Sequence, residues 1–241
     1  MIRVAILGAS GRMGTLATQL VNEDANLKLH AALGSKSMPE EMLGADVVLD
    51  FTLPSVSEEL VRFAISHDLK VVIGTSGWSE NKLAGLSKLL ADHPRSGVVL
   101  IPNFSIGSML GQRFAAQAAE FFSSIEIVEA HHSSKVDSPS GTAIRTAELI
   151  AEARKNLPQP LIPGVEQEAR GEVVAGVPIH ALRLDGVSAK QEVYFAGPAE
   201  VLRISHEVSS NAAYSLGILK TIEFAVSCSG LTIGLDKVVS N

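Results

Sequence analysis

Ile2-Arg3-Val4-Ala5-Ile6-Leu7-Gly8-Ala9-Ser10-Gly11-Arg12-Met13-Gly14 is the stretch on which the reading of this chain turns. A short apolar run bounded by glycine reads as a buried strand, and the glycines let the chain turn tightly into a following helix. Backbone N–H groups at such a helix N-terminus can approach a pyrophosphate, and the helix dipole favours the negative charge. Gly8, Ala9, Ser10, Gly11, Arg12 and Met13 are therefore candidate cofactor-binding residues, with Arg12 placed to lie over the adenine or the phosphates. The spacing is G-x-x-G-x-x-G rather than the commoner G-x-G-x-x-G. A strand-to-helix turn that merely needs glycine would look the same.

Outward from this turn, the first hundred residues alternate apolar runs with amphipathic ones. Strands are expected at 2–7, 27–33, 47–51, 70–73 and 98–101, with helices running to about 21 and over 57–66 and 79–91. Ser57 and Ser79 are each followed by acidic residues, as helix starts often are. Continuous Val/Ile/Leu strands alternating with helices imply a parallel sheet covered on both faces. The pattern then changes. Helices are expected at 108–122 and 142–156, a strand at 125–130, and a Pro/Gly-rich exposed loop at 157–164. Strand-like runs at 177–184, 192–196 and 201–208, separated by Asp185-Gly186 and Gly197-Pro198, suggest an antiparallel sheet before a last helix at 212–226. The expected fold is α/β: a Rossmann-like doubly wound parallel sheet plus an inserted α+β domain with a mostly antiparallel sheet. The expected domains are 1–105 with 212–241 for the dinucleotide, and 106–211 for substrate binding and oligomerisation.

The end of the second strand bears on which dinucleotide is used. An NAD site usually places Asp or Glu there to hold the ribose 2′-OH. Here Gly34, Ser35 and Lys36 stand instead, followed by Ser37, and they could hold a 2′-phosphate. This favours NADPH over NADH. Gly74-Thr75-Ser76 and Ile101-Pro102-Asn103-Phe104 follow the fourth and fifth strands, where open α/β sheets bind ligands, and are assigned to the nicotinamide end.

Chemistry is suggested by Glu129-Ala130-His131-His132-Ser133-Ser134-Lys135-Val136-Asp137-Ser138-Pro139-Ser140-Gly141-Thr142-Ala143. Imidazole can act as an acid near neutral pH, and lysine can donate a proton or anchor an anion. Ser138 to Thr142 read as a loop into a helix whose N–H groups and hydroxyls could bind a carboxylate; a helix cap without a ligand would have the same pattern.

This segment resembles the signature of the dihydrodipicolinate reductase family of lysine and diaminopimelate biosynthesis. The glycine turn, Asp50-Phe51-Thr52, Gly74 to Gly77 and Asn103-Phe104-Ser105 all fall in family order. The resemblance spans essentially the whole chain. It implies NAD(P)H-dependent reduction of 4-hydroxy-tetrahydrodipicolinate to tetrahydrodipicolinate by a homotetramer acting on a small dicarboxylate. It further implies that His131 donates or accepts a proton, that Lys135 donates one, and that His132, Gly141 and Thr142 bind substrate carboxylates. The chain departs from the family pattern at Ala189-Lys190-Gln191, where Gly-Glu-His is common, and at Asn211, where arginine is common. Gly34-Ser35 also replaces an acid-then-arginine pair. These departures bear on cofactor preference and on contacts between lobes.

Composition narrows the alternatives. In 241 residues, 46% are hydrophobic and 19% charged, which suits a sizeable core rather than disorder. A net charge of −6 without a basic run argues against nucleic acid. No apolar stretch approaches the roughly 20 residues that span a bilayer. A single cysteine, Cys228, excludes an intramolecular disulfide and suits a cytoplasmic protein. Cys228 is also badly placed to be the mid-chain nucleophile of an aspartate-semialdehyde dehydrogenase. Adjacent histidines have the wrong spacing for zinc, so no metal is expected. A regulatory module without turnover would have no need of His131, Lys135 and Ser140 to Thr142.

Overall fold

A computed structural model describes residues 1–158, 162 and 167–239. Of the loop expected at 157–164, residues 159–161, 163 and 164 lie outside the described residues. The chain forms two compact units, one from Met1–Ile106 with Asn211–Asn241 and the other from Gly107–Ser210.

The first unit begins β1 (Ile2–Leu7), α1 (Arg12–Glu23), β2 (Leu27–Leu33), β3 (Val47–Asp50), α2 (Pro54–Ser66), β4 (Lys70–Ile73), α3 (Glu80–Asp92) and β5 (Gly97–Leu100). The second unit carries α4 (Ile106–Ala119), β6 (Ser124–His131), α5 (Gly141–Ala153), β7 (Glu172–Val174), β8 (Val177–Arg183), β9 (Ala189–Ala196) and β10 (Val201–Val208). The chain then returns to the first unit with α6 (Ser215–Ala225), β11 (Gly230–Ile233) and α7 (Leu235–Val239).

The six strands of the first sheet run in the order β11-β5-β4-β3-β1-β2, all parallel. β3 and β5 are buried along their whole length, as in Val47-Val48-Leu49-Asp50, because helices cover both faces. On one face, Val61, Ala64 and Ile65 of α2 and Leu86 and Leu90 of α3 pack against Val48, Val71 and Val98. Strand order reverses between β1 and β3, so Gly8 and Phe51 stand at the crevice where such sheets bind ligands.

The second sheet is mixed, in the order β10-β9-β6-β8-β7. Here Ile125, Ile127, Val193 and Phe195 alternate along their strands and bury one face under Ala115 and Ala119 of α4 and Ala143, Ala147 and Ile150 of α5. The opposite face carries Glu126, Glu192 and Tyr194.

Several sequence expectations are corrected. Of the three runs at 177–184, 192–196 and 201–208, the last two pair directly as antiparallel β9 and β10, but the first does not join them. β6 lies between β8 and β9, parallel to the former and antiparallel to the latter. β7 and β11 were not expected: β7 is three residues long, and neither strand holds a fully buried residue that would mark a core run. A run as short as β7 shows no periodicity. Ser57 does not start α2, which begins three residues earlier at Pro54 after the cap residue Leu53. Proline is suited to that first position because its missing N–H needs no partner there. Ser57 is instead buried and donates its hydroxyl to Asp50 Oδ2. The last helix opens with a 3-10 turn at Asn211–Tyr214 and is followed by the unforeseen α7.

Candidate functional site

In the first unit, Gly8 adopts φ +74° and its amide, with that of Ala9, donates to Leu33 O at 2.9 and 3.1 Å. The turn is thereby tied to the end of β2. No side chain caps α1 at Gly11, which leaves its first amides for an anion. Ala9, Ser10 and Gly34 line a groove of about 520 Å3 together with Thr15, Thr18, Gln19, Asn22 and Ala32. The structure thus brings the glycine turn and the end of β2 together, as the sequence suggested. The α1 side chains in that groove went unread, since their spacing is that of any exposed helix face. Ser10, Arg12, Ser35, Lys36, Ser76 and Pro102 are exposed, and Met13 is half-buried. The hydroxyl of Ser37 accepts from the Gly34 amide at 3.3 Å.

At the ends of β3, β4 and β5, the rings of Phe51 and Phe104 meet edge to face at 5.6 Å. A Cβ on Gly74 would collide with both rings, so glycine is required for the approach. Asp50, fully buried, accepts from Thr52 N at 3.0 Å and Thr52 Oγ1 at 2.5 Å, besides Ser57. Thr75 Oγ1 donates to Asp50 O and Thr52 O at 3.3 and 3.2 Å. Asn103 Oδ1 accepts from Ser105 N at 2.9 Å. Ile101, Phe104 and Thr75 are buried, so these three members of the set contribute shape and backbone rather than exposed side chains. The glycine-lined turn, its uncapped helix start and the groove beside it fit a dinucleotide.

In the second unit, the period of β6 places Glu129 and His131 on one face. His131 is the last residue of the strand and lies opposite Arg183 of β8. Glu129 is fully buried, and its Oε2 meets His131 Nδ1 at 2.6 Å. Arg183 donates to both Glu129 oxygens at 2.9 and 3.0 Å, and the Ser140 amide donates to Oε1 at 3.1 Å. Burial opposes ionisation of Glu129, but hydrogen bonds from Arg183 and His131 outweigh it and hold the carboxyl below its usual range. Arg183 also donates to the carbonyls of Lys135 and Asp137, at 3.3 and 2.6 Å.

One carboxylate thus joins the end of β6, the start of α5 and the loop between them. His132 Nδ1 lies 2.8 Å from Ser134 Oγ. Lys135 Nζ donates to both oxygens of Asp137 at 2.6 and 2.7 Å, and this holds the Asp137 carboxyl below its usual range. Ser140 caps α5, its hydroxyl accepting from Ala143 N at 3.3 Å. Gly141 is exposed at the first helical position, with nothing within 4 Å of a Cβ built on it, and Thr142 follows half-buried. Glu129 and Arg183 were not assigned roles from the sequence. A Glu-x-His pair on a strand was the available signal for Glu129; Arg183 had none, lying on a strand far along the chain.

The two halves of the chain match the two parts of one family. Residues 2–104 match dihydrodipicolinate reductase, N-terminus, and residues 107–239 match dihydrodipicolinate reductase, C-terminus. The chain belongs to the dihydrodipicolinate reductase family. It is 47% identical over 236 residues to 4-hydroxy-tetrahydrodipicolinate reductase of Clavibacter sepedonicus, covering 98% of this chain and 85% of that one. Against the enzyme of the same name from Cutibacterium acnes it is 43% identical, covering 98% of each. A solved structure, dipicolinate-bound dihydrodipicolinate reductase from Paenisporosarcina sp. TG-14, superposes with a TM-score of 0.86 at 31% identity, covering 99% and 100% of the two chains. Family and fold together make this an oxidoreductase of lysine and diaminopimelate biosynthesis that uses a pyridine nucleotide. Among the described residues no helix is long and apolar enough to cross a membrane, and no three His, Cys, Asp or Glu side chains are grouped to hold a metal.

Proposed function

We propose that the chain reduces 4-hydroxy-tetrahydrodipicolinate, with loss of water, to tetrahydrodipicolinate, using NADPH in preference to NADH. The observation that carries this reading is the join made by Glu129, which sets His131 beside the start of α5, where Gly141 and Thr142 stand. The bound nucleotide supplies a hydride to an electron-poor ring carbon. The protein's part is to hold the substrate and manage one proton.

In this reading His132, Gly141 and Thr142 grip the two carboxylates, helped by the positive end of the α5 dipole. Lys135 donates the proton that the neighbouring ring position receives. His131 donates or accepts a proton at Nε2, since Nδ1 is engaged by Glu129. The cationic surroundings stabilise charge that develops on the ring. The Paenisporosarcina relative, which binds the dicarboxylate dipicolinate, supports this substrate class.

Gly8, Ala9, Ser10, Gly11, Arg12 and Met13 hold the pyrophosphate. Gly34, Ser35 and Lys36 hold the 2′-phosphate, for no acidic side chain follows β2 where a ribose diol would need one. Gly74 to Ser76 and Ile101 to Phe104 shape the nicotinamide end. The working form is a homotetramer assembled through the second sheet.

The test follows NADPH absorbance on adding freshly generated substrate. Oxidation that depends on substrate is expected. Well-folded protein that oxidises neither NADPH nor NADH would overturn the reading.

A further inference from the structure

We propose that Glu129 is a positioning residue for catalysis. It fixes the tautomer of His131 so that Nε2 faces the proton transfer, while Arg183 clamps the backbone that carries Lys135. The inference rests on the proton roles just given to His131 and Lys135.

A buried carboxylate needs partners for all its lone pairs, and what distinguishes Glu129 is which partners it takes. Glu129 has Arg183 in bidentate contact, yet also takes His131 Nδ1 and the amide that opens α5. A carboxylate accepts and does not donate, so the nitrogen facing it carries the hydrogen in neutral imidazole. Nε2 is then the basic nitrogen, able to take a proton or, in imidazolium, to give one. The same logic orients histidine wherever a buried acid stands behind it.

Arg183 completes the device. Its guanidinium balances the Glu129 charge, which a buried site demands. Its remaining N–H groups hold the carbonyls of Lys135 and Asp137, so the lysine backbone is fixed by the group that fixes the histidine. Lys135 Nζ is meanwhile kept by Asp137, whose side chain is largely exposed and can give way to a substrate carboxylate.

The experiment compares Glu129→Gln with the double variant Glu129→Gln/Arg183→Met. Glu129→Gln should lower kcat about 100-fold or more. KM and NADPH affinity should stay within about threefold. Removing both charges should restore thermal stability, because a buried pair can be replaced by neutral groups without loss. It should not restore kcat. Recovery of stability and kcat together would make Glu129 a structural residue only and overturn the proposal. A second measurement needs no variant. Nitrogen-15 NMR of histidine-labelled wild type, at a pH where His131 is neutral, should show hydrogen on Nδ1. Hydrogen on Nε2 would overturn the proposal even if the protein is an active reductase. An inactive wild type with hydrogen on Nδ1 would instead count against the function alone.

Discussion

A side-chain carbon built on Gly8 would stand 2.5 Å from the carbonyl oxygen of Phe51. The two residues directly follow β1 and β3, the strands that flank the reversal in sheet order. Gly8 also has φ +74°, a conformation that L side chains resist by about 1–2 kcal/mol. Gly8→Ala therefore meets backbone, not a yielding side chain, and overpacking adds about 1–3 kcal/mol. The expected result is a lower denaturation midpoint and NADPH binding weakened about tenfold or more. Titration of nucleotide fluorescence checks it; unchanged affinity in a folded variant would show that the turn does not carry the phosphates.

Ser57→Ala tests the interior of the same crevice. Ser57 donates to Asp50, a carboxylate with no exposure, whose other oxygen serves Thr52. Losing a donor to a buried charge should cost about 1–3 kcal/mol. Urea unfolding should show a lower midpoint with unchanged slope. A change below about 0.5 kcal/mol, the range of ordinary surface substitutions, would mean that the hydroxyl is not needed there.

The contrast between these residues bears on what could be read from the chain. Gly8 was legible because strand, glycine and helix are consecutive. Ser57 was misread because a serine before two glutamates looks the same whether it caps a helix or lies within one. Strands β3 and β5 were legible as short apolar runs buried on both faces, while β2, at the sheet edge, showed only a broken apolar run. The insertion of β6 between β8 and β9 was not, since pairing across long separations leaves no local trace. Likewise the His131 segment announced itself, while Arg183 reaches Glu129 only through the parallel pairing of β6 with β8.

Acid should expose the tie at Glu129. Its carboxyl is held below the usual range in the folded protein. Such a group stabilises the fold at pH values above its unfolded pKa, about 4.3, and the contribution is lost as pH falls through the lower folded value. Stability measured from about pH 5 down to about pH 3 should therefore fall more steeply in wild type than in Glu129→Gln. Asp46, Glu58, Asp68 and Glu126 are held low as well and contribute to both curves, so the difference between the curves is the readout. Parallel curves would contradict the pairing.

Lys135→Ala should lower kcat about 100-fold to 10,000-fold, since a proton donor is lost. NADPH affinity should be nearly unchanged, because Lys135 belongs to the second unit's loop and its ammonium is held by Asp137. Equal losses in turnover and cofactor binding would count against the role. Asp137→Asn makes the complementary case. Freed of its carboxylate partner, Lys135 should meet the substrate more readily and KM should fall; a raised KM would make Asp137 part of substrate binding.

Cofactor choice turns on the exposed residues after β2. Lys36 is exposed, and no acidic residue stands between Leu33 and Met38. A hydrogen bond from an ammonium to a phosphate contributes about 1.5–3 kcal/mol, so Lys36→Ala should weaken NADPH binding about tenfold or more. NADH lacks the phosphate and should bind the variant as it binds wild type. The two nucleotides are compared by direct titration, without substrate, so that turnover does not enter. Added salt should weaken NADPH more than NADH in wild type, because exposed charges are screened, and should remove most of that difference in the variant. Wild-type protein that binds NADH more tightly than NADPH would refute the assignment of Gly34, Ser35 and Lys36 to a 2′-phosphate.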